Sequence, residues 1–288
     1  MSKKAVVTGG EGFIGTHLVE ALTREGFDVV SVDIKSGLDI LDTSKLTEIF
    51  SGASYVFHTA ALPRVQYSIE YPQQTSNTNV EGTLSVLVAA RDAGVKRVVY
   101  SASSSAYGDQ KVMPLREDMR ANPISPYALQ KYIGELYCKL FSDVYNLSTV
   151  SLRYFNVYGP GADPNGAYAL AIAKFLKQRQ DNTPITITGD GTQTRDFTHV
   201  RDVVRANMLA AMSDRVGKGE VMNIGAGRGV SINEIAALVG GPVEHIAPRL
   251  EPHDTLADSS LARELLGFEP TVTIEDGIAE LKSLAGLA

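Results

Sequence analysis

The stretch Thr8-Gly9-Gly10-Glu11-Gly12-Phe13-Ile14-Gly15 follows the apolar run Ala5-Val6-Val7 and precedes a helical pattern at 16–24. A strand, a glycine-rich turn and a helix N-terminus therefore come in succession. Glycine lets the backbone turn tightly and approach a ligand, and the unpaired amides of a first helical turn bind negative charge. The stretch predicts a binding site for the pyrophosphate of a dinucleotide. Its glycines, however, are spaced differently from the G-x-G-x-x-G of most dehydrogenases: Gly9, Gly12 and Gly15.

An acidic residue supports this prediction. The second predicted strand, Val29-Val30-Ser31-Val32, ends in Asp33, which lies 18 residues beyond Gly15. A carboxylate at that distance accepts both hydroxyl groups of the NAD ribose and repels the additional phosphate of NADP. The alternative is an ordinary tight connection between a strand and a helix, which has no use for Asp33. We therefore predict NAD as the cofactor.

The composition restricts the partners of the protein. With 288 residues, of which 44% are hydrophobic and 21% charged, the chain can bury a large core in one domain and form a smaller lobe besides. The net charge of −6 and the lack of a basic run argue against nucleic acid. A single cysteine, Cys138, excludes an internal disulfide, and the histidines show no metal-ligand spacing. No apolar run reaches the roughly 18 residues that span a bilayer, so we expect a cytoplasmic protein without membrane or metal partners.

Apolar runs alternate with helical patterns through the first half of the chain. Strand-like runs lie at 55–57, 97–100 and 149–152, separated by helical segments such as 80–93 and 127–145. This alternation is typical of a parallel sheet covered by helices on both faces. We predict an α/β protein, a Rossmann-like doubly wound parallel sheet with a smaller C-terminal α/β lobe for the substrate. The predicted boundaries are residues 1–160, with returning segments near 185–224, for the NAD-binding domain, and residues 161–184 and 225–288 for the lobe.

Hydroxyl groups follow the fourth predicted strand, where residues 101–108 read Ser-Ala-Ser-Ser-Ser-Ala-Tyr-Gly. Further on, Tyr127 and Lys131 are one turn apart on a predicted helix. A lysine ammonium near a phenol favours the phenolate, which can act as a general base near neutral pH. Tyr107 and Lys111 have the same spacing, but the glycine and aspartate after Tyr107 indicate a loop, where this spacing does not bring side chains together. We therefore assign catalysis to Tyr127 and Lys131, with Tyr107 as a wall of the pocket.

Together these motifs resemble the extended short-chain dehydrogenase/reductases, specifically the NAD-dependent nucleotide-sugar epimerases and dehydratases. The resemblance covers nearly the whole chain. Besides the glycine turn, Asp33, the serine segment and the Tyr127–Lys131 pair, it rests on the following segments: Asp39-Ile40, His58-Thr59-Ala60-Ala61, Asn79 with Gly82-Thr83, Arg153-Tyr154-Phe155-Asn156-Val157-Tyr158-Gly159, Gly189-Asp190-Gly191, Arg195-Asp196-Phe197 and Ala257-Asp258.

The resemblance implies a role for individual residues. Tyr127 is the base, Ser103 shares the hydrogen bond to the sugar hydroxyl, and Lys131 binds the nicotinamide ribose. The implied cofactor contacts are Gly9, Gly12, Phe13, Ile14, Gly15, Asp33, Lys35, Asp39, Ile40, Ala60, Ala61, Asn79, Ser101, Tyr127, Lys131 and Tyr154. The implied contacts to the nucleotide-sugar are Ser103, Ser104, Tyr127, Asn156, Asn165, Arg195, Arg249 and Thr255.

Within the cofactor set, the resemblance assigns Asp39 and Ile40 to the adenine and Ala60 and Ala61 to the pyrophosphate side. It assigns Asn79 and Ser101 to the nicotinamide end. The chain departs from many relatives between Asp33 and Asp39, where a longer segment with basic residues is replaced by a very short loop. Only Lys35 remains in that loop to meet the adenosine phosphate.

The two residues after Ser103 predict the type of reaction. Relatives that eliminate water tend to carry acids there, whereas this chain has Ser104 and Ser105. Without a second acid and base, the hydride that leaves C4 returns to C4, which is epimerisation. We predict 4-epimerisation of UDP-glucose and UDP-galactose and of their N-acetylated counterparts. The alternatives are a UDP-glucuronate 4-epimerase or decarboxylase, a sugar 4,6-dehydratase, or a sensor module, which would usually lose the pair Tyr127 and Lys131.

The resemblance also predicts the substrate range and the assembly. Thr255 stands where a tyrosine would narrow the pocket beside C2 of the sugar, so an acetamido group should enter. Arg195 and Arg249 are assigned to the diphosphate, since a guanidinium offers paired donors in one plane. Helical segments at 80–93 and 132–145 carry apolar residues that relatives bury in a homodimer. The alternative is that both helices only cover the sheet.

Overall fold

Six parallel strands form the central sheet of the computed structural model, which describes residues 3–164, 171–248 and 252–287. In chain order the strands are β1 (Lys4–Thr8), β2 (Asp28–Val32), β3 (Ala53–His58), β4 (Arg97–Ser103), β5 (Thr149–Tyr154), β6 (Val157–Tyr158), β7 (Ile185–Thr188), β8 (Thr194–Asp196), β9 (Thr198–His199), β10 (Lys218–Ile224), β11 (Gly229–Ser231) and β12 (Val243–Ile246). The order across the central sheet is β2-β1-β3-β4-β5-β10. The predicted α/β, Rossmann-like fold is confirmed.

Helices cover both faces of this sheet. In chain order they are α1 (Phe13–Arg24), α2 (Thr43–Phe50), α3 (Val65–Glu70), α4 (Pro72–Ser76), α5 (Gly82–Asp92), α6 (Pro126–Tyr145), α7 (Ala171–Gln180), α8 (Val200–Met212), α9 (Ile232–Val239), α10 (Ser260–Leu266) and α11 (Ile274–Leu284). Helices α1, α8 and α10 bury side chains such as Leu18 and Val203 on one face. Helices α2, α5 and α6 bury Phe50 and Phe141 on the other. The near-continuous apolar strands of the sequence are explained by this burial from both sides.

A second, smaller core lies in the C-terminal half. Helices α7, α9 and α11 enclose side chains such as Phe175, Ile187 and Ile235, and β7 pairs with β12. The sequence places returning segments of the central sheet near 185–224, but among the strands there only β10 joins that sheet. Strand β7 instead alternates buried and half-buried residues, as suits a strand in a small two-stranded sheet.

Residues 260–268 also lie elsewhere than the sequence predicts. They were expected in the lobe, yet Ala262, Leu266 and Phe268 are buried in the core beside α1 and α8. The reason is apolar burial, because these side chains complete the helical layer on that face of the central sheet. In the described ranges, no helix is long and apolar enough to cross a membrane.

The topology locates a ligand site at the carboxyl ends of the strands. The chain passes from β1 to β2 on one side of β1 and then to β3 on the other. Ligands of open α/β sheets bind outside the strand ends at the point where the connections diverge in this way. Gly9 directly follows β1, and Ala60 lies just beyond β3, so the glycine turn stands at this point.

Candidate active site

The turn after β1 requires glycine at two positions, Gly9 and Gly15. Gly9 has a φ of +71°, and a Cβ atom there would lie 2.7 Å from the backbone of Ala60. A Cβ atom on Gly15 would lie 2.0 Å from the carbonyl oxygen of Gly9. Gly12 precedes α1 in an extended conformation, and within the described residues no side chain caps that helix. The amides of the first turn therefore remain for an anion, and the turn fits a dinucleotide pyrophosphate.

Asp33 lies beside this turn. Its carboxylate accepts hydrogen bonds from the backbone amides of Glu11 and Lys35, both at 3.0 Å. The Lys35 ammonium donates to the carbonyl oxygen of Glu11 at 2.8 Å. The carboxylate thus lies next to the glycine turn, and its contact with the ribose of NAD stays a prediction. Lys35 is held at the glycine turn, so its expected reach to the adenosine phosphate stays a prediction.

The predicted residues around the adenine differ in exposure. Asp39 is exposed, and its carboxylate accepts from the amide of Leu41 at 3.0 Å. Ile40 is buried between the sheet and α5, where a Cβ atom on Gly82 would lie 2.5 Å from its Cδ1. The side chain of Ile40 is thus part of the core. Any contact of Ile40 with adenine would therefore have to come from its backbone. Ala61 is half-buried in the loop that follows β3.

Phe13 and Ile14 open helix α1. The ring of Phe13 stands edge-on to His17, with 5.9 Å between the ring centroids. Ile14 packs against the core on the α1 face. Both residues contribute their amides to the helix N-terminus, while their side chains fix the helix to its surroundings.

Ser103, Tyr127 and Lys131 come from two neighbouring elements. Ser103 ends β4, and the other two lie one turn apart at the start of α6. Ser125 caps this helix by accepting from the amide of Ala128 at 3.2 Å. Tyr127 and Ser103 are half-buried, whereas Lys131 is buried. The structure therefore brings the predicted catalytic trio together at the carboxyl end of the sheet.

The electrostatics of this trio differ in one respect from the expectation. Burial raises the pKa of Tyr127, and the Ser103 hydroxyl opposes this shift. The expected lowering of the Tyr127 pKa by Lys131 is therefore not found in the protein alone, because removal of the phenol from water disfavours the phenolate more strongly. Burial also lowers the pKa of Lys131 to about 8, opposed by Cys138 and Glu135. The Lys131 Nζ atom lies 4.4 Å from the centroid of the Tyr100 ring.

Asn79 braces the active site from behind. It lies in a π-helical segment, Asn77–Glu81, that leads into α5. Its Oδ1 accepts from the amide of Leu62 at 2.8 Å, and its Nδ2 donates to Gln130 Oε1 at 2.8 Å. Asn79 therefore joins the loop after β3 to the residue before Lys131. Its predicted contact with the nicotinamide stays a prediction.

Ser101 and Tyr154 belong to a buried hydrogen-bond group. The hydroxyl groups of Ser101 and Tyr154 are 3.0 Å apart, and Asn207 on α8 donates its Nδ2 to the Tyr154 hydroxyl at 2.7 Å. Tyr154 lies in the core that faces α1 and α8. Both side chains thus tie β4 and β5 to α8, and their predicted roles in cofactor binding are untested.

Tyr107 is a buried wall residue. Its hydroxyl donates to Asn223 Oδ1 at 2.7 Å, and its ring lies 4.5 Å from the Arg153 guanidinium carbon. Lys111, which has the same spacing from Tyr107 as Lys131 has from Tyr127, is exposed and forms a salt bridge with Asp109 at 2.9 Å. Tyr107 and Lys111 therefore do not form a base and its activating cation.

The residues assigned to the substrate lie in several separate segments, and their contacts with a substrate stay predictions. Ser104 begins a 3-10 turn, Ser104–Tyr107. Asn156 has a φ of 30°, and its Nδ2 donates to the carbonyl of Asp196 at 3.0 Å and to Thr255 Oγ1 at 3.4 Å. Arg195 donates to the carbonyl of His253 at 2.8 Å. Asn165 and Arg249 lie outside the described residues.

Sequence reasoning missed several residues that support the trio. Ser68 on α3 accepts from the amide of Tyr127 at 3.0 Å, and Gln130 donates to Thr75 at 3.0 Å. Glu135 lies one turn beyond Lys131 and pairs with Arg153. Its spacing of four residues from Lys131 was a readable signal, whereas the contacts of Ser68 and Gln130 join distant segments. Within the described ranges, no group of three or more His, Cys, Asp or Glu side chains could hold a metal ion.

Comparison with known proteins agrees with this geometry. The model of the NAD dependent epimerase/dehydratase family matches residues 5–225. A UDP-glucose 4-epimerase of Mycolicibacterium smegmatis is 35% identical, with 96% of each chain covered. A UDP-N-acetylglucosamine 4-epimerase of Methanobrevibacter ruminantium, solved with UDP-N-acetylmuramic acid, is 33% identical with a TM-score of 0.91, covering 98% of this chain and 99% of the other.

A third similar protein carries the cofactor. MoeE5 in complex with UDP-glucuronic acid and NAD is 36% identical, with a TM-score of 0.88 and 96% of each chain covered. The glycine turn and Asp33 of the present chain fit the same cofactor, so NAD is the cofactor of this enzyme. The chain belongs to the NAD dependent epimerase/dehydratase family, as a nucleotide-sugar 4-epimerase of the extended short-chain dehydrogenase/reductase type.

Proposed function

We propose that this enzyme interconverts UDP-glucose with UDP-galactose and UDP-N-acetylglucosamine with UDP-N-acetylgalactosamine, through a 4-keto intermediate. The proposal rests on the convergence of Ser103, Tyr127 and Lys131 at the sheet edge and on the residues that face them. The supporting observation for the wider substrate range is Thr255, which lies within 3.4 Å of Asn156.

The roles of the three residues follow from their positions. Tyr127 takes the proton of the sugar 4-hydroxyl, while Ser103 hydrogen-bonds the same oxygen. Lys131 supplies positive charge beneath the phenolate and donates to the nicotinamide ribose. NAD would be held at the glycine turn and Asp33, and it would supply a hydride acceptor for C4 and a positive charge that favours the phenolate. Tyr127 then gives its proton back to the 4-oxygen once the sugar has presented its other face.

The 3-10 turn Ser104–Tyr107, which we call the serine turn, supports epimerisation rather than elimination. Ser103 Oγ lies 2.8 Å from Ser105 Oγ, and Ser104 begins the same 3-10 turn. No carboxylate belongs to this turn, so it offers no second acid or base for removing water between C5 and C6. A dehydratase is therefore the weaker alternative.

Thr255 supports acceptance of N-acetylated sugars. It is half-buried, held by its own amide to the Thr194 carbonyl at 3.1 Å, and it stands beside Asn156. A threonine side chain leaves the volume that a tyrosine ring would fill. We expect Thr255→Tyr to lose activity on the N-acetylated pair while keeping activity on UDP-glucose and UDP-galactose. Equal loss on both pairs would remove Thr255 from the role of gate.

The diphosphate would be held by Asn156, Arg195, Asn165 and Arg249. Arg195 lies in β8, is half-buried and donates to the carbonyl of His253. A guanidinium can bind two phosphate oxygens. Asn156 contributes an amide from the loop after β5. The assignment of Asn165 and Arg249 depends on the sequence alone.

We also propose that the enzyme is a homodimer of the cytoplasm. On α6, four apolar side chains are about half exposed and recur along one stripe: Leu129, Leu136, Leu140 and Val144. Leu84 and Val88 on α5 are partly buried at the edge of the core. A second copy of the chain would cover such a stripe by helix-to-helix packing.

A panel of nucleotide-sugars tests the proposed function. Purified enzyme is incubated with UDP-glucose, UDP-N-acetylglucosamine and UDP-glucuronate, and the products are separated and weighed. We expect the C4 epimers of the first two, with unchanged mass. Conversion of UDP-glucuronate alone, or a product lighter by carbon dioxide or water, would replace the proposal by one of its alternatives.

A further inference from the structure

A buried ion pair lies directly behind the predicted catalytic residues. Glu135 and Arg153 form two hydrogen bonds, Nε to Oε1 at 2.9 Å and Nη2 to Oε2 at 2.7 Å. Their side chains are 2% and 5% exposed. Taking two charges out of water costs several kcal/mol per ion, so such a pair is weak evidence of a purely stabilising role. A function in the site would explain why the fold keeps it.

One end of the pair faces Lys131. Tyr127, Lys131 and Glu135 follow at intervals of four along α6, which places them on one face of the helix. Four titratable groups on β3, β4 and α6 lie near the Lys131 ammonium: His58, Tyr100, Glu135 and Cys138. Tyr127 precedes Lys131 by one turn of α6.

Most of these groups carry no charge between pH 6.5 and 9. Burial lowers the pKa of His58 to about 3, so its ring is neutral. Burial raises the pKa of Cys138 to about 12 and that of Tyr100 well above 10. Burial raises the pKa of Glu135, and its hydrogen bonds and ion pair with Arg153 oppose that shift and favour the carboxylate. Apart from the Tyr127 base itself, Glu135 is therefore the group in this set that brings negative charge to Lys131.

The other end of the pair reaches the serine turn. The Arg153 guanidinium carbon lies 4.5 Å from the centroid of the Tyr107 ring, and Tyr107 closes the turn that follows Ser103. Tyr107 is fixed in turn by its hydrogen bond to Asn223. The Nη1 atom of Arg153 is buried without a hydrogen-bond partner among the described residues. Arg153 therefore depends on Glu135 for its compensation.

We propose that Glu135 and Arg153 are positioning residues for catalysis, Glu135 keeping the Lys131 ammonium charged and Arg153 neutralising Glu135 while holding the serine turn through Tyr107. The inference rests on the proposed roles of Tyr127 and Lys131. Its consequence concerns the active form, in which Tyr127 is deprotonated and Lys131 is protonated. Loss of Glu135 leaves the Arg153 cation uncompensated, so Lys131 gives up its proton at a lower pH.

The dependence on pH distinguishes this role from a structural one. Well below pH 8, Lys131 is protonated with or without Glu135, and the active form is equally populated. Above that pH, Glu135→Gln reduces the share of the active form by the change in the Lys131 equilibrium, and one pKa unit corresponds to a factor of ten. We expect kcat/KM of Glu135→Gln to be within about twofold of wild type at pH 6.5 and about tenfold lower at pH 9.

Two further variants make the test specific. The double variant Glu135→Gln/Arg153→Met removes the Arg153 cation together with the Glu135 carboxylate. The two changes act on the Lys131 ammonium in opposite directions, so the loss at pH 9 should be only about threefold. Asp202→Asn is the matched control, because Asp202 is a buried carboxylate that bridges to Arg205 on α8 at 3.2 Å, away from Lys131. Its activity relative to wild type should not change with pH.

The assay uses whichever of UDP-glucose, UDP-galactose, UDP-N-acetylglucosamine or UDP-glucuronate the wild-type enzyme converts fastest, so that a wrong substrate assignment does not affect it. A ratio of Glu135→Gln to wild type that stays constant from pH 6.5 to 9 overturns the inference. So does a double variant that loses as much at pH 9 as the single one. If Glu135→Gln does not fold, the double variant alone decides by the same change of ratio with pH. Full activity of Tyr127→Phe would instead contradict the proposed chemistry.

Discussion

Tyr127 needs help to act as a base, because burial alone raises its pKa. The protein provides a hydroxyl from Ser103, and it provides the Lys131 ammonium one helical turn away. The amide of Tyr127 is held by Ser68 at 3.0 Å, which fixes the start of α6. The reactive groups and the contacts that orient them are thus individual side chains around Tyr127.

The assignment of the base predicts a difference between two tyrosines. Tyr127→Phe removes the phenol but keeps the ring, so turnover should fall by about two or more orders of magnitude with NAD content preserved. Tyr107→Phe removes only a hydrogen bond to Asn223 and should lower turnover less. Steady-state kinetics of both variants, with NAD released by denaturation as the control, make the comparison. A larger loss in Tyr107→Phe would refute the assignment.

His58 predicts how stability depends on pH. Thr83 donates its hydroxyl to the Asn79 carbonyl at 2.7 Å, so it accepts from His58 Nε2, while His58 Nδ1 accepts from Thr8 at 2.7 Å. Burial lowers the pKa of His58 from 6.5 to about 3. Between these two pH values the ring is neutral in the folded protein and takes up a proton when the chain unfolds. The unfolded chain binds more protons below pH 6.5, and stability is therefore lost as the pH falls.

The expected slope is about 1.4 kcal/mol per pH unit from this group, or about 2 kcal/mol between pH 6.5 and 5. His58→Asn keeps an acceptor for Thr8 and removes the titration. Urea unfolding at pH 6.5 and 5 should show a difference smaller than that of wild type by this amount. The exposed His245→Asn is the control and should keep the wild-type difference. An unchanged slope in His58→Asn would show that the buried ring is not the source.

What sequence could predict at this scale was local. The spacing of Tyr127 and Lys131 within one helix fixed their proximity, and the glycine spacing fixed the turn after β1. The contacts of Asn79 with Gln130 and of Tyr154 with Asn207 join residues 51 and 53 positions apart. No local pattern reports such pairs, because they depend on how strands and helices are ordered in the sheet.

At the scale of elements, α6 has two tasks. Its inner face carries the catalytic residues and Phe141 of the core, and its outer face exposes an apolar stripe. The sequence pattern predicted an apolar helix in this place, but it could not separate a face that covers the sheet from one that meets a partner. The structure separates them by exposure.

The outer stripe of α6 predicts a change of assembly. Leu136→Glu together with Leu140→Glu puts two charges where apolar contacts between two copies are expected, and the mass in solution should change from dimer to monomer at micromolar concentration. Met212→Glu, on an equally exposed side chain of α8, is the matched control and should remain dimeric. Light scattering gives the masses. A monomeric wild-type protein would contradict the proposal directly.

At the scale of the whole molecule, the candidate active site combines segments that are far apart in sequence. The glycine turn, Asp33 and Ser103 lie at the ends of sheet strands, whereas Tyr127 and Lys131 lie on α6. Asn156 and Thr255 meet across 99 positions of chain. The sequence predicted the parallel sheet well, because most of its strands contain a short, nearly continuous apolar run. It misplaced β7 and residues 260–268, since a short amphipathic segment can complete either core and only packing decides which.

The transfer of hydride at C4 is the central claim, and a labelled substrate tests it most directly. UDP-galactose with deuterium at C4 is incubated with the enzyme, and the product is examined by mass spectrometry and NMR. We expect UDP-glucose of unchanged mass that keeps the deuterium at C4, because the hydride leaves and returns to the same carbon. Loss of the label to solvent, or a product lighter by water, would contradict hydride return to C4.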